Sequence, residues 1–123
     1  MLRSAALTAF LATADPARAT AFYQDTLGLR LLTDDQFAVA FDANGTELRI
    51  QKVEKLKPHP FTSLGWHVPD IAKAVAGLVK RGVTFERYDF MKQDKLGVWQ
   101  APSGARVAWF KDPDGNLLSL TEH

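Results

Sequence analysis

The chain has 123 residues, 46% hydrophobic and 24% charged, with a formal net charge of +1. That length suits one domain with a real core, and the interspersed charges leave no electrostatic footprint for nucleic acid or a membrane surface. Cysteine is absent, which excludes disulfides, thiolate metal sites and a cysteine nucleophile, and no apolar run is long enough to span a bilayer.

Residues 5–13 read as a strand. Met1-Leu2-Arg3-Ser4, Ala5 to Leu11 and then Ala12-Thr13-Ala14 loosely resemble a secretory leader with its cleavage site. The apolar stretch is short and broken by Thr8, so the strand is preferred and a cytoplasmic protein is expected. Asp15 can cap a helix that has Pro16 at its first position, where no hydrogen bond is lost. Ala17, Ala21, Phe22 and Leu27 give that helix an apolar face, and Gly28 stops it. Strands follow at about 29–33, 36–42 and 46–52. Lys55-Leu56-Lys57-Pro58-His59-Pro60 reads as a linker, since its prolines break any ladder.

A second run of the same elements begins near Thr62. Asp70 caps a helix with Ile71, Val75, Leu78 and Val79 inward, stopped by Gly82. Strands are expected at about 83–88, 97–101, 105–111 and 116–121. The chain thus repeats itself. Phe41-Asp42-Ala43-Asn44-Gly45 before an alternating strand returns as Phe110-Lys111-Asp112-Pro113-Asp114-Gly115-Asn116 before another. The offset between copies is 55 residues from Asp15 to Asp70 and 70 from Gly45 to Gly115. The second copy therefore carries an insertion, placed at Tyr88 to Asp94, which is a lid candidate or a plain surface loop.

Phe22-Tyr23-Gln24-Asp25-Thr26-Leu27-Gly28-Leu29, taken with Asp112-Pro113-Asp114-Gly115-Asn116, resembles the glyoxalase/bleomycin-resistance/extradiol-dioxygenase (vicinal oxygen chelate) superfamily over essentially the whole chain. The resemblance implies an α+β fold of two βαβββ modules, about 4–54 and 61–122, whose curved mixed sheets surround a pocket. It also implies a homodimer. A fold of this kind does not by itself name a chemistry.

Enzymes of that family usually hold a divalent metal that polarises a substrate oxygen pair as a Lewis acid. The family pattern puts one ligand seven residues before each helix-capping aspartate, which here gives Thr8 and Ser63. The other two fall mid-strand after each glycine turn, at Arg49 and Ser119. Hydroxyls and a guanidinium do not supply the imidazole or carboxylate such a site needs, so neither a resident metal nor another cofactor is expected. Three histidines remain. His59 lies between prolines and His123 is the last residue, while strand alternation sets His67 on the face of Ser63. His67 reads as a hydrogen-bonded strand-end residue or as a pocket-rim residue, and a nonstandard metal site from Glu47 and His67 is the weaker alternative.

The same alternation puts Glu47, Arg49 and Gln51 on one face of their strand and Leu48 and Ile50 on the other. Arg49 either pairs with Glu47 or clamps a carboxylate or phosphate. Trp66 reads as core against the second helix, and Tyr23 as structural. Trp99 and Trp109 either fill space or offer a flat wall to a planar ligand. Asp112-Pro113-Asp114-Gly115-Asn116 has the composition of a tight turn, not of a catalytic dyad.

Three readings follow. The preferred one is a metal-independent small-molecule-binding protein. Its ligand is polar or anionic with a planar part, and its site is drawn from Thr8, Glu47, Arg49, Gln51, Ser63, His67, Trp99, Trp109 and Ser119. The alternative is a lyase, isomerase or dioxygenase-like enzyme with an unusual metal site or with Arg49 as the electrostatic catalyst. The third is an oligomeric interaction module with a vestigial pocket.

Overall fold

The structure, a computed structural model, describes residues 1–123. It divides into two compact units, Met1–Lys57 and Pro58–His123. Both run strand, helix, then three strands, and both build one four-stranded mixed sheet, so the fold is α+β with two βαβββ modules in tandem.

The first module contains β1 (Thr8–Thr13), α1 (Pro16–Ala21) running into a single π turn (Phe22–Thr26), β2 (Arg30–Asp34), β3 (Ala38–Ala43) and β4 (Thr46–Lys52). The sheet order is β1-β4-β3-β2, with β1 parallel to β4 and the other pairs antiparallel. Asp15 caps α1 by accepting from the Arg18 N–H at 3.2 Å, as the sequence pattern requires. The π turn closes with Leu27 N–H donating to the Phe22 carbonyl, and Gly28 at φ 78° reverses the chain.

The buried side of this helix differs from the expected one. Ala19 and Tyr23 are buried, Phe22 and Leu27 are half-buried, and Ala17 and Ala21 face solvent. The Tyr23 ring decides it, because it lies edge-on to Phe22 and 5.9 Å from Phe41. One large ring buries far more apolar area than two alanines. With Leu11, Val39, Leu48 and Ile50 it forms the core on the helix side of the sheet.

The second module contains β5 (Leu64–His67), α2 (Ile71–Lys80), β6 (Trp99–Gln100), β7 (Arg106–Lys111) and β8 (Leu117–Glu122), in the order β5-β8-β7-β6. Two carboxylates meet the start of α2. Asp70 accepts from the Lys73 N–H at 3.1 Å and Glu122 from the Ile71 N–H at 2.8 Å. Both satisfy donors that the helix leaves open and complement its dipole. Ile71 and Val75 are fully buried, whereas Val79 is 52% exposed at the rim of the apolar face, not inward. Trp66 is half-buried on the helix side, 6.5 Å from the Phe110 ring, as a core residue.

The strand expected at 83–88 is not formed. Only Phe85 bridges to Phe110, and Glu86 N–H donates to the Trp109 carbonyl. Beyond that point Gln93 takes over as the local hydrogen-bonding partner. Its amide accepts from Tyr88 N–H and donates to the Glu86 and Gly97 carbonyls. The strand expected at 97–101 shrinks to Trp99–Gln100 for the same reason.

The two copies also differ at their last hairpins. In the first, Asn44 and Gly45 make a two-residue turn with φ of 52° and 94°, the left-handed pair that matches strand twist. In the second, Asp112 N–H pairs with the Asn116 carbonyl around a three-residue loop with Gly115 at φ 91°. The offset between copies is 69 at Ala38 and Val107 but 70 at Gln51 and Thr121, judged by their ladder partners. One inserted residue therefore lies in this hairpin and the remainder precede β7. The insertion is spread wider than Tyr88 to Asp94.

Candidate functional site

Each sheet has one face on its helix and one open face, and the ladder register assigns residues to them. In the first module the open face has three rows: Thr8, Glu47 and Asp42; Phe10, Arg49 and Ala40; Ala12, Gln51 and Ala38. Thr8, Glu47, Arg49 and Gln51 therefore share one surface. Arg49 Nη1 lies 3.3 Å from Glu47 Oε2, with both side chains about a third exposed. Such a pair contributes only about 0–1 kcal/mol, so an incoming anion can compete for the guanidinium. Phe10, 55% exposed beside Arg49, adds an apolar surface to the same row. Near the β2–β3 turn, the Phe37 and Ala38 N–H groups hold the Asp35 carboxyl below its ordinary 3.8, with smaller help from the Arg49 and Lys52 charges.

In the second module the open face carries two complete rows. One runs Gly65, Ser119, Trp109, and the other His67, Thr121, Val107, Trp99. Ser63 precedes them, its N–H donating to the Leu117 carbonyl. Strand parity thus sends both late tryptophans to the open face, a matter the sequence leaves unresolved. Their ring centroids are 6.0 Å apart. Tyr88 stands edge-on to Trp109 at 5.8 Å and leads on to Phe90 at 5.5 Å. Trp109 Nε1 donates to Thr62 Oγ1 at 3.1 Å, which fixes the indole plane.

The result is an aromatic wall of Trp99, Trp109 and Tyr88, all half-buried, with Phe90 80% exposed at its tip. Burial, and then the Glu86 charge, push the Tyr88 phenol above its ordinary 10.0, so it stays neutral at physiological pH. Sequence reasoning missed Tyr88 and Thr62. Both lie outside regular strands, where no periodicity assigns a face.

Ser119 is buried between Gly65 and Trp109. A Cβ at position 65 would lie 2.6 Å from Ser119 Oγ. Gly65→Ala is accordingly expected to lower stability by about 1–3 kcal/mol through overpacking, and Gly65→Ala with Ser119→Ala to recover most of that loss. Chemical denaturation of both variants and of Ser119→Ala measures the coupling; additive losses would refute this contact.

His67 meets the His123 ring at 4.3 Å and is exposed. No group of three or more His, Asp or Glu side chains is placed to share a metal ion. At the four positions of the family's ligands, Thr8 and Ser63 offer neutral hydroxyls, Ser119 is enclosed by Gly65, and Arg49 is a cation already beside Glu47. This donor set does not fit a divalent metal. Glu47 and His67 belong to different compact units.

The segment between α2 and β6 is tied down. Asp94 accepts from the Leu96 and Val98 N–H groups at 2.8 and 2.9 Å, and the Arg87 guanidinium donates to the Asp94 and Lys95 carbonyls. Together with the Gln93 clamp these bonds hold Tyr88 in place as a preformed part of the wall.

A sequence model described as the glyoxalase/bleomycin resistance protein/dioxygenase superfamily matches residues 5–120. Among solved structures, a member of that superfamily from Sphaerobacter thermophilus DSM 20745 is 28% identical, with a TM-score of 0.78 and full coverage of both chains. TnmS3, an antibiotic binding protein from Streptomyces sp. CB03234, is 26% identical with a TM-score of 0.71, covering 99% of this chain and 98% of its own. A lactoylglutathione lyase from Agrobacterium tumefaciens shares the fold at 19% identity, with a TM-score of 0.75 and coverage of 99% and 96%. No curated protein sequence matches the chain.

Proposed function

Because the chain belongs to the glyoxalase/bleomycin resistance protein/dioxygenase superfamily, we propose that it is a small-molecule-binding protein that works without a metal and takes a ligand with a planar part. The observation that carries this reading is the wall of Trp99, Trp109 and Tyr88 on the open face of the second module. Half-buried indoles in a fixed plane offer a stacking surface at little entropic cost. The likeness to an antibiotic binding protein over the full length supports binding as the activity, and the misfit of the donor set supports metal independence. Arg49, on the open face of the first module, is the candidate contact for an anionic group. Its variant Arg49→Ala should weaken binding of carboxylate-bearing compounds while leaving the melting temperature nearly unchanged.

The test is a thermal-shift and tryptophan-quenching screen of planar aromatic compounds before and after dialysis against EDTA, with the recovered compound analysed for conversion. A ligand at about a hundred times its Kd adds about 2.7 kcal/mol, enough to raise the Tm by several degrees, and it should be recovered intact. Turnover, or binding lost on metal removal, would overturn the reading. The proposal includes a homodimer, supported by the exposed Leu7, Phe10 and Phe37 of the first module. Light scattering should give a molar mass twice 13.6 kDa.

A further inference from the structure

A second recess lies at the free edge of the second module's sheet, where β6 has no strand beyond it. It has a volume of about 370 Å³ and is lined by Lys92, Gln93, Asp94, Val98, Trp99, Gln100 and Arg106. That volume falls within the ~300–1,000 Å³ of small-molecule sites. Its walls are preformed. The Gln93 bridge to Trp99 and the Asp94 bonds to Leu96 and Val98 hold one side, and the β6–β7 ladder holds the other.

The polar groups in the recess are unequal in what they have left to offer. The Gln93 amide is engaged by Tyr88, Glu86 and Gly97. Asp94 Oδ1 already accepts two backbone bonds. Arg106 faces Asp94 and Glu122, both at 3.8 Å, which is ion-pair range but longer than a charge-assisted hydrogen bond of about 2.7–2.9 Å. Its guanidinium therefore retains donors for a closer acceptor. Lys92 is exposed and takes part in none of the chain's ion pairs. Two cations against the Asp94 carboxylate leave one positive charge on the lining. That balance suits a monoanion, and the nearby carboxylate opposes a multiply charged phosphate. The half-buried Trp99 indole and the buried Val98 provide an apolar side.

We propose that this recess at the β6 edge, with Lys92 and Arg106 on one side and Trp99 on the other, binds a small planar monocarboxylate. The site is separate from the Trp109–Tyr88 part of the wall and shares only Trp99 with it. Lys92 and Arg106 supply the charge recognition, the exposed Gln100 amide supplies a further polar contact, and Trp99 and Val98 receive the ring.

The test is an amide and indole ¹⁵N–¹H shift titration with naphthalene-2-carboxylate and, as its neutral counterpart, naphthalene-2-carboxamide. Shifts should centre on Val98, Gln100 and the Trp99 indole, with the carboxylate binding about tenfold more tightly than the carboxamide. Lys92→Glu, a change at an exposed side chain, should abolish that preference while the spectrum stays that of a folded protein. Trp109→Ala should leave it intact, so loss of wall binding and loss of this site are read separately. Equal affinity for the two probes, shifts centred on Tyr88 and Trp109, an unaltered preference in Lys92→Glu, or no binding at millimolar probe would each overturn the assignment.

Discussion

Replacing Asp112 with alanine is expected to destabilise the protein by about 3 kcal/mol, although the residue belongs to a surface hairpin. Asp112 is only 5% exposed. Its Oδ1 accepts from the Asp114 and Asn116 N–H groups at 3.0 and 2.9 Å, and its Oδ2 from Asn116 Nδ2 at 2.8 Å. A hydrogen bond to a charged group is worth about 1.5–3 kcal/mol, and a buried donor left without its acceptor costs about 1–3 kcal/mol. Alanine removes three such bonds, and they are not independent, which keeps the sum near the lower end. Asp112→Asn should fall between, because its amide nitrogen would confront Asn116 Nδ2.

The first module provides the comparison. Asp42 is half-exposed and accepts from the Gly45 N–H at 2.9 Å around a turn set mainly by Asn44 and Gly45. Asp42→Ala should cost under about 1 kcal/mol. Urea denaturation of the three variants measures all of this, and a loss below about 1 kcal/mol for Asp112→Ala would refute the buried network.

Trp109→Ala is expected to weaken binding of planar ligands by about ten- to a hundredfold, in line with the ~2 kcal/mol or more carried by a central aromatic contact. Trp109 is the middle member of the wall, touched by Trp99 on one side and Tyr88 on the other, and its plane is held by Thr62. Its loss removes the stacking surface and leaves both neighbours without support. Trp109→Phe should retain most of the affinity, since a ring remains although the bond to Thr62 is gone. Substitution of Trp66, on the helix side of the same sheet, should lower stability without changing ligand-induced quenching. Calorimetric titration of the ligand found in the screen decides this. Unaltered affinity in Trp109→Ala would remove the wall as the site.

Local chemistry made much of the fold legible. Asp15 and Asp70 each stand before a helix and do cap it, and Gly28, Gly45, Gly82 and Gly115 all adopt the positive φ that punctuates the chain. Alternation correctly grouped Glu47, Arg49 and Gln51, because β4 is regular over seven residues. It could not assign Trp99, since β6 is two residues long and takes its direction from β7 and the Gln93 bridge. The strand expected at 83–88 failed because its alternating Val83 and Phe85 are indeed buried, but side-chain bonds from Gln93 replace a ladder beyond Glu86.

What the amino-acid sequence by itself determined is the repeat: two βαβββ modules, their caps and turns, and the unsuitability of Thr8, Arg49, Ser63 and Ser119 as metal donors. These follow from residue type and short-range spacing, which act within a few residues of chain. Tertiary structure alone decided that Tyr88 joins Trp99 and Trp109 in one wall, that Asp112 is buried, and that Lys92 and Arg106 line one recess. Each of those depends on ladder register or on loop hydrogen bonds between residues distant in sequence, and a one-residue shift in pairing would turn every such side chain to the opposite face.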